Sequence, residues 1–111
     1  MALKWEDFEK VDMRVGRVIS VEDFPKAKKP AYRLKIDFGP VLGIKQTSAQ
    51  VTKLYRKDEL VGREVVAVVN FPPKNIAGFM SEVLVLGAVG EGGEVTLLKP
   101  ERECPVGQRI A

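Results

Sequence analysis

The residues whose types could do chemistry are concentrated in one connector, residues 70–82, which joins two apolar runs of strand length at Val65–Val69 and Val83–Leu86. The connector mixes aromatic rings, prolines, amides, a hydroxyl and an ammonium group, a combination that suits a mostly apolar groove with a few polar contacts. Methionine adapts to partners of different shape, whereas adjacent prolines are rigid. The candidate peptide-binding residues are Phe71, Pro72, Ile76, Phe79 and Met80. The alternative is that both phenylalanines belong to the core.

The same connector and a neighbouring basic stretch could instead bind RNA. Residues 26–57 carry nine Lys or Arg and a single acidic residue, Asp37, whereas the whole chain has a net charge of only +3. One basic face of this kind suits a polyanion, although scattered lysines that only keep the protein in solution explain the charge equally well. The candidate RNA-binding residues are Lys26, Lys28, Lys29, Lys45, Lys53, Asn70, Lys74, Asn75 and Ser81.

The composition argues against catalysis. The chain has no histidine, which removes the commonest general base and the commonest metal ligand. Its single cysteine, Cys104, forms neither an internal disulfide nor a zinc knuckle. Gly90–Gly93 lacks the lysine and the helix that follow a phosphate-binding loop. We therefore expect a protein that is not an enzyme and needs no cofactor or metal.

Size and hydropathy indicate a single globular unit. A chain of 111 residues with 45% apolar and 30% charged residues fits one domain over residues 1–111. No apolar run reaches the roughly 18 residues of a membrane-spanning helix, and the N-terminus lacks the pattern of a secretory signal. The single cysteine fits a reducing compartment. Cytoplasm is the expected location, without insertion into a membrane.

The hydropathy pattern predicts mostly strands. Alternation of apolar and polar residues marks strands, and apolar residues three or four apart mark helices. The predicted strands are Met13–Phe24, Ala31–Gly39, Val41–Lys45, Val65–Val69, Val83–Val89 and Glu94–Leu98. The predicted helices are Trp5–Val11 and Thr47–Leu54. Thr47 or Ser48 would cap the second helix by accepting hydrogen bonds from its first backbone amides.

In two of these strands the alternation of apolar and polar residues predicts which side chains share a face. In the second strand the inward residues are Tyr32, Leu34, Ile36 and Phe38. In the first strand we expect Ile19 on the same apolar face as Val15 and Val21. Gly16, in the middle of that strand, would permit a bulge or the close coiling that small barrels need.

The order of elements predicts the fold. Five or more short strands, with one helix between the third and the fourth, describe an all-β protein with short helices built as a small Greek-key barrel. The OB-fold, a five-stranded barrel of this type, is the expected architecture, with extensions at both termini. An immunoglobulin-like sandwich is the competing all-β option, but it would not need the helix at residues 47–55.

Several motifs resemble those of the tRNA-binding domain family, which includes the C-terminal domain appended to bacterial methionyl-tRNA synthetase and structure-specific tRNA-binding proteins. These motifs are Val11–Gly16, Leu60–Gly62, Val68–Asn70 and the pair Gly78 and Ser81. Within that family, Ile44–Gln50 and Asn70–Phe79 resemble the CsaA-type secretion chaperones. The resemblance implies an OB-fold homodimer with export-linked chaperone activity on unfolded or preprotein peptides, together with an ability to bind tRNA.

Two departures from the tRNA binders shift the expected ligand toward peptide. The tRNA binders of the family usually have an Asp-Lys pair after the first loop, where this chain has Lys28–Pro30. Near Ser81 they carry a neutral amide at the position of Glu82, whose negative charge would face an approaching polyanion. Three hypotheses therefore remain: a peptide-binding chaperone, an RNA-binding protein that uses the barrel face, and a purely structural dimerisation module.

Overall fold

Short strands make up most of the regular structure in this computed structural model, which describes residues 1–111. The strands are β1 (Met13–Asp23), β2 (Tyr32–Asp37), β3 (Ile44–Ala49), β4 (Glu64–Val68), β5 (Lys74–Ile76), β6 (Phe79–Ser81), β7 (Leu84–Val85), β8 (Gly87–Val89) and β9 (Val95–Leu97). The helices are α1 (Trp5–Glu9), α2 (Gly39–Leu42) and α3 (Lys57–Leu60). None of these helices has the length and apolar character needed to cross a bilayer.

Five strands form one antiparallel sheet in the order β3-β2-β1-β4-β7, while β5–β6 and β8–β9 are separate hairpins. The sheet curls into a nearly closed barrel around one apolar core. The core residues are Val18, Leu34, Ile36, Phe38, Val51, Leu60, Val65, Ala67 and Val83. All five residues of β4 are buried, and four of them belong to the apolar run Val65–Val69, which predicts this burial. The barrel confirms the predicted OB-fold.

The barrel is closed along a line between β3 and the segment that leads into and includes β7, mainly by hydrogen bonds that involve side chains. We call this line the seam; its walls are residues 46–50 and residues 81–85. The backbone N–H of Glu82 donates to Gln46 O (2.9 Å), and the Glu82 carboxylate accepts from Gln46 N–H in return (2.9 Å). The Thr47 hydroxyl donates to Val83 O (2.6 Å). Because the seam depends on a few such bonds, it is a weaker joint than a full backbone ladder.

The predictions for residues 41–54 are partly wrong: residues 44–45 do lie in a strand, which pairs with β2, but residues 47–54 do not form a helix. Residues 41–42 belong to α2, and β3 begins only at Ile44 and includes Thr47. The Thr47 hydroxyl, expected to cap a helix, bonds across the seam instead. Val51 is buried but Leu54 is exposed, so these apolar residues do not form one helix face. The helix between β3 and β4 is α3, where the Glu59 carboxylate accepts from Arg56 N–H (2.9 Å).

The prediction for the faces of β1 is partly wrong because a bulge interrupts the alternation. The pairing of β1 with β2 shifts register between Val18 and Ser20. Ile19, expected on the apolar face, is therefore exposed, while Val18 is fully buried. Gly16 serves close coiling rather than the bulge, since a Cβ atom there would lie 2.5 Å from Ile36 Cγ2.

The N-terminal helix is tied to the end of β4, where the Asn70 amide donates to Lys10 O (2.7 Å), and the C-terminal tail is tied to β1, where Gly107 N–H donates to Val15 O (2.7 Å). The predicted helix is confirmed as α1, in which Trp5 packs on Phe8 with 5.6 Å between ring centroids. Trp5 nevertheless exposes 68% of its surface, so the domain's own core does not cover it. A single antiparallel bridge also pairs Arg109 in this tail with Arg14 of β1.

Candidate functional site

A groove of about 650 Å³ runs along the open half of the seam. One wall is residues 48–51, the end of β3 and the two residues after it, and the other wall is residues 81–87. The connector covers one end, and Val89 and Val95 of the β8–β9 hairpin contribute further apolar surface. The volume is that of a typical small-ligand or peptide side-chain site.

The connector is ordered by a hairpin that the hydropathy pattern did not predict. Strands β5 and β6 pair Lys74 with Ser81 and Ile76 with Phe79. Their turn places Gly78 at a φ of 85°, where a side chain is disfavoured. Directly paired residues in a hairpin share a face, so Ile76 and Phe79 lie on one side of it.

The structure brings three of the five predicted peptide-binding residues together. Phe71, Pro72 and Ile76 line the groove, and Phe71 exposes 55% of its surface. Met80 pairs with Asn75 and is therefore on the opposite face of the hairpin, 43% exposed. Phe79 is half-buried and does not line the groove.

Phe79 instead anchors the hairpin to the barrel through a contact that the sequence did not reveal. Its ring meets Phe24 edge to face at 5.4 Å. The Arg33 guanidinium lies 5.7 Å from the centroid of each ring and donates to the Glu22 carboxylate (3.1 Å). Its buried Nε has no hydrogen-bond partner. Alternation with the inward residues of β2 implies that Arg33 points outward, but it does not reveal the two rings, because they come from distant parts of the chain.

The three polar residues predicted to contact RNA all have partners within the protein. Asn70 accepts from Asp12 N–H (3.1 Å) and donates to Lys10 O (2.7 Å), which ties α1 to the end of β4. Asn75 accepts from Gly78 N–H (2.9 Å) in the hairpin turn. Ser81 Oγ accepts from the backbone N–H of Ser48 (3.1 Å) in the seam.

The six predicted RNA-binding lysines lie on several different elements. Lys26, Lys28 and Lys29 are exposed in the loop after β1, and Lys45 is half-buried on β3. Lys53 donates to Gly92 O, and the exposed Lys74 is part of the groove lining.

Acidic residues at the end of β1 offset part of the basic stretch. Glu22 pairs with Arg33 at 3.1 Å, and Asp23 pairs with Lys57 at 2.8 Å. The hydrogen bond and the charge of Asp23 raise the pKa of Lys57 above its ordinary value. The two acids reduce the net positive charge that this end of the barrel presents.

The groove carries one charge of each sign within an apolar lining. The Glu82 carboxylate is held by Gln46 N–H in the seam, while Lys74 is exposed. Sequence reasoning missed the wall at residues 48–51, because the pattern of residues 47–54 predicted a helix. Only the valine-rich pattern of residues 83–86 indicated that one wall would be apolar.

Comparisons with known proteins agree with this architecture and with the resemblance in the motifs. Residues 13–109 match the family model described as "Putative tRNA binding domain". The chain is 54% identical to chaperone CsaA of Bacillus anthracis, with a TM-score of 0.95 and 100% coverage of both chains. It is also 54% identical to the CsaA chaperone protein of Picrophilus torridus, with a TM-score of 0.92 over 99% of this chain and 100% of that one.

A curated relative places the same unit inside a larger protein. The chain is 41% identical, over 97% of its length, to a methionine–tRNA ligase of Thermococcus onnurineus, of which it spans only 14%. The shared part is thus a small module of that ligase. With a family match that covers most of its residues, the chain belongs to the tRNA-binding domain family.

Proposed function

We propose that this protein is a non-enzymatic, export-related chaperone of the cytoplasm that binds unfolded or preprotein segments as a homodimer. The observation that carries the proposal is the apolar groove along the seam, with Phe71 exposed at its side. The similarity to two proteins described as CsaA chaperones supports the same function.

The groove suits a peptide because most of its surface is apolar and open to solvent. Burying one large apolar side chain stabilises a complex by about 1.5–3 kcal/mol. Phe71, Pro72 and Ile76 provide such a contact at one end of the groove, and Val89 and Val95 provide another. A segment that places an apolar side chain at each end would gain from both contacts.

The proposed homodimer is supported by the uncovered surface of the N-terminal region. Leu3, Trp5 and Phe8 line a cleft that also includes Ala111, and Trp5 is largely exposed. Large exposed apolar residues close together are typical of protein interfaces. Sedimentation velocity should give the mass of a dimer, and Trp5→Ser should shift it toward the 12.3 kDa monomer.

Binding of tRNA is the second candidate function, and the family match favours it. Lys26, Lys28 and Lys29 form an exposed basic loop that could contact phosphates. Asn70, Asn75 and Ser81 are poor base-recognition groups because internal hydrogen bonds hold their side chains. We therefore place any RNA contact at the basic loop rather than in the groove.

One set of titrations tests both functions. Fluorescence anisotropy would measure the Kd of a permanently unfolded, reduced and alkylated polypeptide, and of a tRNA, at low and moderate salt. We expect Phe71→Ser to weaken polypeptide binding about tenfold, which corresponds to roughly 1.4 kcal/mol. The matched control is Val41→Ser, because Val41 is 95% exposed on α2, outside the groove.

The two ligands should also respond differently to salt. Affinity that depends on phosphate contacts falls steeply as salt rises, whereas burial of apolar surface does not weaken. If Phe71→Ser and the wild type bind the unfolded polypeptide with the same Kd, the groove is not the site at which unfolded segments bind. If the affinity for tRNA does not change between low and moderate salt, the proposed RNA-binding function is refuted.

A further inference from the structure

The two walls of the seam run in the same direction, but only the first part of the seam is hydrogen-bonded. Four successive antiparallel pairings lead from β3 to β7, so these two strands are parallel. Gln46 is bonded to Glu82 and Thr47 to Val83. Beyond residues 48 and 83 no hydrogen bond joins the two walls, and the groove lies along this open part.

Strand geometry determines which backbone groups point into this gap. Both backbone groups of Gln46 bond across the seam, and every second residue of a strand points the same way. If the chain keeps this alternation past the end of β3, Gln50, which lines the groove, directs its backbone groups into it. On the other wall Leu86 N–H donates to Val66 O on β4, so the N–H and C=O of Val85 point away from β4 and into the groove.

These groups have no partner within the protein. None of the backbone hydrogen bonds outside the strand ladders involves Val85 or Gln50, and β7 is paired only with β4. Unpaired backbone groups beside apolar surface are costly unless water or a ligand satisfies them. An exposed strand edge of this kind is the usual site at which an extended peptide adds a strand.

We infer that the client, the unfolded or preprotein segment of the function proposed above, binds in the seam as an added β-strand beside β7. This inference rests on that proposed function. Its backbone exchanges hydrogen bonds with the N–H and C=O of Val85, and its other edge faces Gln50. Alternate side chains of the segment enter the apolar groove, and the intervening ones remain in solvent. The client is thus recognised first by its extended backbone, which makes binding tolerant of sequence.

The charged residues that line the groove indicate which peptide segments would bind best. The Glu82 carboxylate is held in the seam by Gln46 N–H, whereas the Lys74 ammonium is exposed beside the groove. The best client therefore combines alternating apolar residues with an acidic side chain that reaches Lys74. A nucleic acid fits poorly, because its backbone lacks the repeated N–H and C=O groups that pair with a strand edge and its phosphates would approach Glu82.

Amide hydrogen exchange of the full chain, followed by NMR, tests this inference. The probe is an acetylated and amidated heptapeptide with valine or leucine at alternate positions and one glutamate. In the free protein the Val85 amide should exchange quickly and the Leu86 amide slowly. At saturation we expect exchange at Val85 to slow at least about tenfold, with Leu86 unchanged as the internal control.

The outcomes separate the inference from the function on which it rests. If the heptapeptide or the unfolded polypeptide binds but the Val85 amide stays unprotected, strand addition is refuted while the peptide-binding function stands. If the polypeptide binds and the heptapeptide does not, the stated client chemistry is wrong. If neither ligand binds, the peptide-binding function fails, and the inference fails with it.

Discussion

The hydroxyl group of Thr47 holds the two walls of the seam together, so its removal should open the barrel. Thr47 is 0% exposed, and its Oγ1 donates to Val83 O at 2.6 Å. It also lies 2.8 Å from the Ser81 hydroxyl. Substitution Thr47→Val keeps the branched shape but leaves the Val83 carbonyl in a buried position without a partner.

The expected cost follows from that orphaned carbonyl. Leaving a buried acceptor unsatisfied costs about 1–3 kcal/mol, and we expect about 2 kcal/mol because Ser81 keeps its bond from Ser48 N–H. For a domain of this size that loss lowers Tm by roughly 8–12 °C. The binding groove should be affected too, since it begins where these bonds end.

Urea unfolding of three proteins measures this effect: wild type, Thr47→Val and the control Thr96→Val. Thr96 is exposed on β9, so its substitution should change the free energy of unfolding by less than about 0.5 kcal/mol. If Thr47→Val proves as stable as Thr96→Val, the Thr47 hydroxyl does not close the seam, and other contacts must hold the two walls together.

Three further substitutions test other contacts. Gly16→Ala should cost about 1–3 kcal/mol in urea unfolding, because the new Cβ would lie 2.5 Å from Ile36 Cγ2; wild-type stability would refute this close approach. Arg33→Ala removes the cation between two aromatic rings and should cost about 1–2 kcal/mol, whereas an unchanged midpoint would show that the stack contributes nothing. The pKa of Lys57 is raised above its ordinary value by its hydrogen bond to Asp23 and by the charge of that residue. While Asp23 is ionised, the ion pair is therefore complete below the ordinary pKa of lysine and is lost as the pH rises through the raised pKa. Asp23→Asn should lower the pKa of Lys57 in an NMR titration of Nζ, and an unaltered titration would contradict the pairing.

The barrel could be predicted because its strands follow simple rules. Leu34, Ile36 and Phe38 alternate strictly with polar residues, and all three are buried. The β4 valines form an uninterrupted apolar run, and β4 is the most deeply buried strand. A strand with one buried face alternates apolar and polar residues, and a strand with two buried faces is apolar throughout, so the pattern can be read directly from the sequence.

The candidate site was harder to predict because it depends on contacts between distant residues. A threonine or serine shortly before apolar residues with helical spacing is a good helix-start signal, yet Thr47 uses its hydroxyl to reach Val83, 36 residues later. An exposed Phe71 and a half-buried Phe79 look alike in sequence. Similarly, no side-chain pattern indicates that the Val85 edge lacks a partner, because backbone pairing is decided by the path of the whole chain.

The most direct test of peptide binding in the groove is to map the surface that an unfolded polypeptide contacts. Isotopically labelled protein, titrated with the reduced and alkylated polypeptide, would give chemical-shift changes for each residue. We expect the largest changes at Phe71, Ile76 and Val85, along the groove. Changes concentrated in the basic loop at Lys26–Lys29, or no changes at all, would contradict the proposed client site.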